Sequence, residues 1–231
     1  MFKHSDNTVP AANQLPADAR MRGEGEGSPR VLFLGNSITL HWPAPDIGWH
    51  GDWGMAASRQ ENDYVHVCMR RLRAVYPQAG WRIGALADWE RAFWTDEAVL
   101  KDFYPLRDWR PNYIFYVILG ANTPESELDK HDFAQHYRRM IRFFNPERDA
   151  KVIVTDMFWA CPAKDEAIRA AAEAEGAILV PMGDLGATAE MMALDEYEHR
   201  GVAGHPGDRG MEAIASRLLA AAGFPLLANA E

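Results

Sequence analysis

The sequence predicts an α/β fold, a three-layer α/β/α sandwich with about five parallel strands. Two observations carry this expectation. Short apolar runs without period-2 alternation recur along the chain, as strands buried on both faces of a parallel sheet would. Between them lie stretches whose apolar residues repeat at spacings of three and four, the signature of one helix face. Size agrees: 231 residues, 48% of them hydrophobic, suffice for one sizeable core and are tight for two domains.

In chain order, residues 1–29 read as a flexible polar arm. They hold few large apolar side chains and end in a run, residues 22–29, of alternating Gly and Glu closed by Ser-Pro. Those glycines follow no expected strand, so they read as a linker and not as a phosphate loop. The ordered domain is expected over 30–231. Strands are expected at 31–34, 81–86, 113–119, 151–155 and 177–180. Val65, Cys68, Leu72 and Val75 mark one helix; Phe133, Tyr137, Met140, Ile141 and Phe144 mark a second. Pro162 suits the start of a third that runs through Ile168 to Ala172. Met211, Ile214, Ala215, Leu218 and Leu219 mark the last.

Composition narrows the function. Twenty-four basic against 33 acidic side chains leave a formal charge of −9, which disfavours nucleic acid and anionic membranes as partners. No run of eighteen or more apolar residues occurs, and the first twenty residues lack the apolar segment of a secretory signal. Cys68 and Cys161 form no disulfide framework and lack metal-ligand spacing, so a reduced, cytoplasmic chain is expected. His131 and His136 are five apart and do not share a helix face, so no metal is expected there.

Ligands of a wound parallel sheet bind outside the carboxyl ends of its strands. After the first expected strand comes Gly35-Asn36-Ser37-Ile38-Thr39, after the third Gly120-Ala121-Asn122, and well past the fifth Gly204-His205-Pro206. A Ser, an Asn and a His thus reach one sheet edge from three distant segments. That set can supply a nucleophile, an oxyanion donor and a general base for acyl transfer. Taken singly, Ser37 reads as a turn former, Asn122 as a turn residue and His205 as a surface histidine. Asp208 reads as the cap of the last helix.

The segment Leu34-Gly35-Asn36-Ser37-Ile38-Thr39 resembles the first sequence block of the SGNH (GDSL-type) hydrolase superfamily. Gly120-Ala121-Asn122 resembles its third block. His205-Pro206, followed by Gly210 and an amphipathic helix, resembles the fifth. The resemblance spans about residues 30–222 and implies a flavodoxin-like sandwich and a serine esterase that needs no metal or organic cofactor. It implies Ser37 as nucleophile and oxyanion donor through its amide, Asn122 as a side-chain oxyanion donor, and His205 as base. The Gly-x-Ser-x-Gly elbow of α/β-hydrolases is absent, because Thr39 stands at its last glycine.

Two positions depart from the family pattern. The acid three residues before the His is replaced by Val202; removing such an acid from a protease triad costs about 10⁴ in rate. A backbone carbonyl, Asp156, Asp184, Asp195, Glu196 or Glu198 could support His205 instead. The block-two glycine is also missing: the loop after the second strand reads Asp88-Trp89-Glu90-Arg91. An amide near Asp88, or that of Gly54, is then the candidate for the remaining oxyanion donor. Eight Trp are present, several in loops near the expected edge. Trp42, Trp53, Trp89 and Trp159 are candidates for a substrate wall, against the alternative that they pack loops onto the domain.

The sequence therefore reads as a serine-dependent ester hydrolase acting on a small or carbohydrate-linked acyl ester. The alternative is a non-catalytic or weakly active protein of the same fold that binds a carbohydrate or small ligand. A phosphate or flavin site at residues 36–39 ranks third.

Overall fold

Every expected strand is present, and one more joins them. The structure is a computed structural model that describes residues 17–224. In it, β1 (Met21–Glu24), β2 (Gly27–Gly35), β3 (Ala79–Ala85), β4 (Tyr113–Tyr116), β5 (Lys151–Thr155) and β6 (Ile178–Val180) form one sheet. The strand order is β1-β3-β2-β4-β5-β6. β2 to β6 pair parallel throughout, whereas β1 runs antiparallel on β3.

The longer helices lie where the spacings put them: α1 (Tyr64–Val75), α6 (Phe133–Phe144), α7 (Pro162–Glu175) and α10 (Asp208–Ala222). Short ones fill the connections. These are α2 (Ala87–Arg91), α3 (Asp96–Leu100), α4 (Tyr104–Asp108), α5 (Glu125–Leu128), α8 (Gly183–Gly186) and α9 (Arg200–Ala203). Helix α1 packs against α10 and α6 against α7, one pair on each face of the sheet. Phe33 of β2 stacks on Phe115 of β4 and meets Tyr64 of α1, while Tyr116 meets Tyr137 and Phe144 of α6. Neighbouring residues 115 and 116 thus bury opposite faces, which is why the strand carries no polar alternation.

The expected arm is corrected over its described part. A 3-10 turn, Ala17–Arg20, leads into β1, where Met21 lies opposite Gly84 and Glu24 opposite Trp81. Without β1, β3 would present a bare edge. The glycines that suggested a linker permit this pairing: a Cβ at Gly23 would lie 2.2 Å from the Trp81 carbonyl oxygen. Gly25, at φ 75°, turns the chain into β2. Residues 1–16 of the expected arm and 225–231 of the expected domain lie outside the described residues.

Helical crossovers connect β2 through β6, and these five strands all run the same way. The carboxyl ends of β2, β3 and β4 are therefore in register: Leu34 pairs with Tyr116 and Gly35 with Ala85. β2 lies between β3 and β4, where the winding reverses, the position at which such sheets open a crevice.

Candidate active site

At the end of β2 the chain turns sharply. A Cβ at Gly35 would lie 1.9 Å from Thr39 Oγ1, so only glycine fits beneath this turn. Thr39 and Leu40 amides donate to the Asn36 carbonyl, and the Ile38 amide donates to Asn36 Oδ1. Thr39 Oγ1 lies 2.7 Å from the Tyr64 hydroxyl on α1. With its neighbours buried, the turn leaves Ser37 half-buried at the sheet edge.

Ser37 Oγ is 2.8 Å from Nε2 of His205, 168 residues later in the chain. The imidazole is held from its other side by Nδ1, 2.6 Å from the Gly201 carbonyl oxygen. A carbonyl only accepts, so Nδ1 carries the proton and Nε2 is left to accept from the serine hydroxyl. Gly201 lies in α9, whose last carbonyls have no partner within the helix; His205 takes that of Gly201, and Trp159 takes that of the residue capping the helix, Gly204. Trp159 Nε1 donates to the Gly204 carbonyl at 3.1 Å, and its ring meets the imidazole edge-on at 5.4 Å. The His205 amide donates to Val202, and its carbonyl accepts from Ala193. Burial pulls the His205 pKa down to about 4, opposed by the hydrogen bond to Gly201.

Val202 at the position of the family acid has a packing reason. It is fully buried in a small apolar cluster with Ala44, Trp49, Met55, Ala56 and Ala193. That cluster joins the 41–59 loop to the segment before His205, and a carboxylate there would be stranded in it. Of the other acids considered, Asp184 pairs with Arg217 and Asp156 Oδ1 accepts the Met182 amide. The backbone carbonyl is the group in contact with Nδ1.

Beyond β4, the expected strand 113–119 stops early. Ile118 adopts φ 54°, a conformation a β-branched residue rarely takes, and Gly120 lies at φ 136°. The Ile118 amide donates to Thr155 Oγ1, and its carbonyl accepts from Asn36 Nδ2. This bent segment delivers Asn122 to the same edge. Between the two segments sits a residue the sequence reading did not assign a role, Glu90 of α2. Its carboxylate has no solvent exposure. Oε1 accepts from Asn36 Nδ2 at 2.9 Å and from the Gly120 amide at 2.6 Å, and Oε2 accepts from Asn122 Nδ2 at 2.6 Å. Asn36, which precedes Ser37, and Asn122 are thereby tied to one carboxylate.

The other candidates divide. Gly54 is removed as an oxyanion donor, because its amide points to Asp63 Oδ2 at 3.3 Å. Asp88 pairs its carboxylate with Arg20 at 2.8 Å and Arg91 at 3.5 Å, contacts that leave its backbone amide, the group expected to donate to the oxyanion, as a candidate. Trp89 is removed from the substrate wall: it is 0% exposed and packs among Phe93, Phe133 and Tyr137. Trp53 is half-buried, donates to the Ala57 carbonyl and meets Trp49 edge-on, so it packs the loop on itself. Trp42 is half-buried and stacked on His41, and Trp159 is the candidate ring that lies against His205. Asp208 does not cap α10; Gly207 holds the cap position, and Asp208 accepts from the Ser58 amide, Ser58 Oγ and Asn62 Nδ2. It ties the 41–59 loop to the last helix.

The wound α/β/α sheet, with Ser37 and His205 brought together at its switch point, has the fold of solved proteins described as GDSL-like lipases. The protein described as a GDSL-like lipase from Parabacteroides merdae superimposes with a TM-score of 0.53 at 15% identity, covering 87% of this chain and 98% of that one. A GDSL-like lipase from Bacteroides ovatus gives 0.48 at 13% identity, with 83% and 96% covered. A family two carbohydrate esterase from Cellvibrio japonicus also gives 0.48, at 16% identity, with 83% and 59% covered. The likeness to the Parabacteroides merdae protein is one of fold. No protein-family model and no curated protein matches the sequence.

Proposed function

We propose that this protein is a serine-dependent carboxylic ester hydrolase working through a Ser37–His205 dyad on a small or carbohydrate-linked acyl ester. The observation that carries the reading is the 2.8 Å contact of Ser37 Oγ with an imidazole whose proton is fixed on the far nitrogen. His205 takes the hydroxyl proton as Oγ attacks the ester carbonyl. The oxyanion is received by the Ser37 amide and the Asn122 amide group. His205 then gives the proton to the departing alcohol, and water, activated the same way, releases the acyl group and restores Ser37. The Gly201 carbonyl fixes the tautomer as a triad acid would, but adds no full negative charge to the imidazolium. The Trp159 ring lies against His205, and an aromatic ring beside the base suits a sugar or a short acyl ester. The net charge of −9 favours neutral over polyanionic substrates.

Hydrolysis of p-nitrophenyl acetate and labelling by a fluorophosphonate probe test the reading. Wild type should turn over and be labelled, and Ser37→Ala should do neither. His205→Ala should lose turnover by about 10⁴-fold or more, in line with knock-outs of serine-hydrolase bases. Equal rates in all three, with no labelling of wild type, would replace the esterase by a binding protein of the same fold.

A further inference from the structure

We propose that Glu90 is a positioning residue of the oxyanion hole: its buried carboxylate holds one Asn122 amide proton so that the other faces the reacting carbonyl. The inference rests on the esterase reading above. An asparagine amide group carries two protons and, on a loop, rotates unless one of them is engaged. Here Oε2 of Glu90 engages Asn122 Nδ2 at 2.6 Å, within the range of charge-assisted bonds. The carboxylate is in turn fixed. Its Oε1 is occupied by the Gly120 amide and Asn36 Nδ2, groups that belong to the two segments delivering Asn122 and Ser37. The backbone of Glu90 is anchored by its amide on the Leu86 carbonyl, and Leu86 donates to the Gly35 carbonyl beneath the serine turn.

Three segments of the site, after β2, β3 and β4, therefore meet at one side chain. The neighbouring sequence explains why it can stay there. Asp88 is held by Arg20, and Trp89 is fully buried, so the short helix bearing Glu90 has no freedom to withdraw it. The loop after β3 lacks the family's glycine, and in its place it supplies the carboxylate that organises donors on the neighbouring loops. Catalysis by a preorganised donor depends on its being aimed before the charge develops, which is what a fixed partner on the second proton provides.

The experiment is a double-mutant cycle on kcat with p-nitrophenyl acetate, using the full chain: wild type, Glu90→Gln, Asn122→Ala and both together. The Gln side chain keeps the shape of Glu90 but cannot accept from three donors. The expected result is a loss of about 10- to 100-fold in kcat for Glu90→Gln with KM within about twofold, below the 10²–10³ of a deleted donor. In the Asn122→Ala background the same change should cost less than about threefold, because the partner is gone. Glu90→Asp, still an anion but shorter, should recover part of the loss. A Glu90→Gln penalty equal in both backgrounds, or no penalty, overturns the proposal. Should Glu90→Gln not fold, the wild-type side-chain amide spectrum decides. An Asn122 pair, assigned by its loss in Asn122→Ala, should show one proton far downfield of the other. Two ordinary amide shifts would overturn the proposal. The esterase reading fails separately, through unlabelled wild type or an active Ser37→Ala.

Discussion

Asp88 and Glu90 are two residues apart on one short helix, and both carboxylates are buried, yet they serve different ends. Asp88 faces guanidinium groups: Arg20 at 2.8 Å, with Arg91 behind, while Arg20 also reaches Asp102. Glu90 faces three neutral N–H donors, from Asn36, Gly120 and Asn122. Burial pushes both carboxyls above their ordinary range. The Arg20 and Arg91 charges oppose it at Asp88, and mainly the neutral hydrogen bonds oppose it at Glu90. Between them Trp89 points into the core. The contrast is one of partners: guanidinium groups hold Asp88, and neutral donors from the segments that carry Ser37 and Asn122 hold Glu90.

The largest expected effect tests the Asp88 side. Arg20→Ala strips Asp88 of its main partner and should cost about 3–5 kcal/mol of unfolding free energy, as breaking a buried pair does. Urea denaturation should read this loss, while kcat per folded molecule stays within about twofold of wild type. A large kcat loss with unchanged stability would erase the distinction between the two carboxylates.

Next comes the Glu90 side. Asn122→Ala should lower kcat by about 10²–10³-fold, the cost of one oxyanion donor, with a thermal midpoint close to wild type. Steady-state kinetics beside thermal melts separate the two effects. A variant that unfolds but keeps kcat would make Asn122 a structural residue like Asp88.

The third prediction sharpens the contrast by pH. Among the described residues no carboxylate touches His205, and its pKa is held near 4 by burial. The neutral, base-competent form therefore persists far below an ordinary imidazole. For a neutral ester, kcat/KM should stay level from pH 7 to 5 and reach half its plateau near pH 4. Stability moves with the opposite partner: the unfolded chain takes up a proton near pH 6.5, and the folded one declines it until about pH 4. The contribution is intact above pH 6.5 and is lost as pH falls through that window. Urea midpoints at pH 7 and 4.5 should therefore differ more in wild type than in His205→Gln. A half-maximal point near pH 6.5 would mean that a carboxylate supports the ring after all.

The smallest effect concerns Arg22, two residues from Arg20. Its pair with Asp52 is solvent-exposed, so Arg22→Ala should change stability by no more than about 0.5 kcal/mol. A loss comparable to that of Arg20→Ala would show that β1 pairing, and not burial of one guanidinium, holds the segment.

The sequence by itself determined the fold class, the five parallel strands, the four long helices and the three segments that reach the edge. These follow from hydrophobic periodicity and from Gly, Pro and Asn at turns, which are local properties. It also marked Val202 and the loop at residues 88–91 as departures. Only the tertiary structure decided how those departures are filled. The support for His205 is the Gly201 carbonyl, and a backbone carbonyl leaves no trace in residue identity. Glu90 did stand in view, an acid just past a strand at the binding edge, but its partners lie 30 and more residues away and no spacing links them. Trp89 and Trp159 look alike as letters, and only packing distinguishes a core ring from one beside the base. The Gly-Glu run of residues 22–29 shows the same limit. Composition reads it as a linker, and the bare edge of β3 turns its front end into a strand, because unpaired backbone groups at a sheet edge favour any segment that can lie close enough to pair.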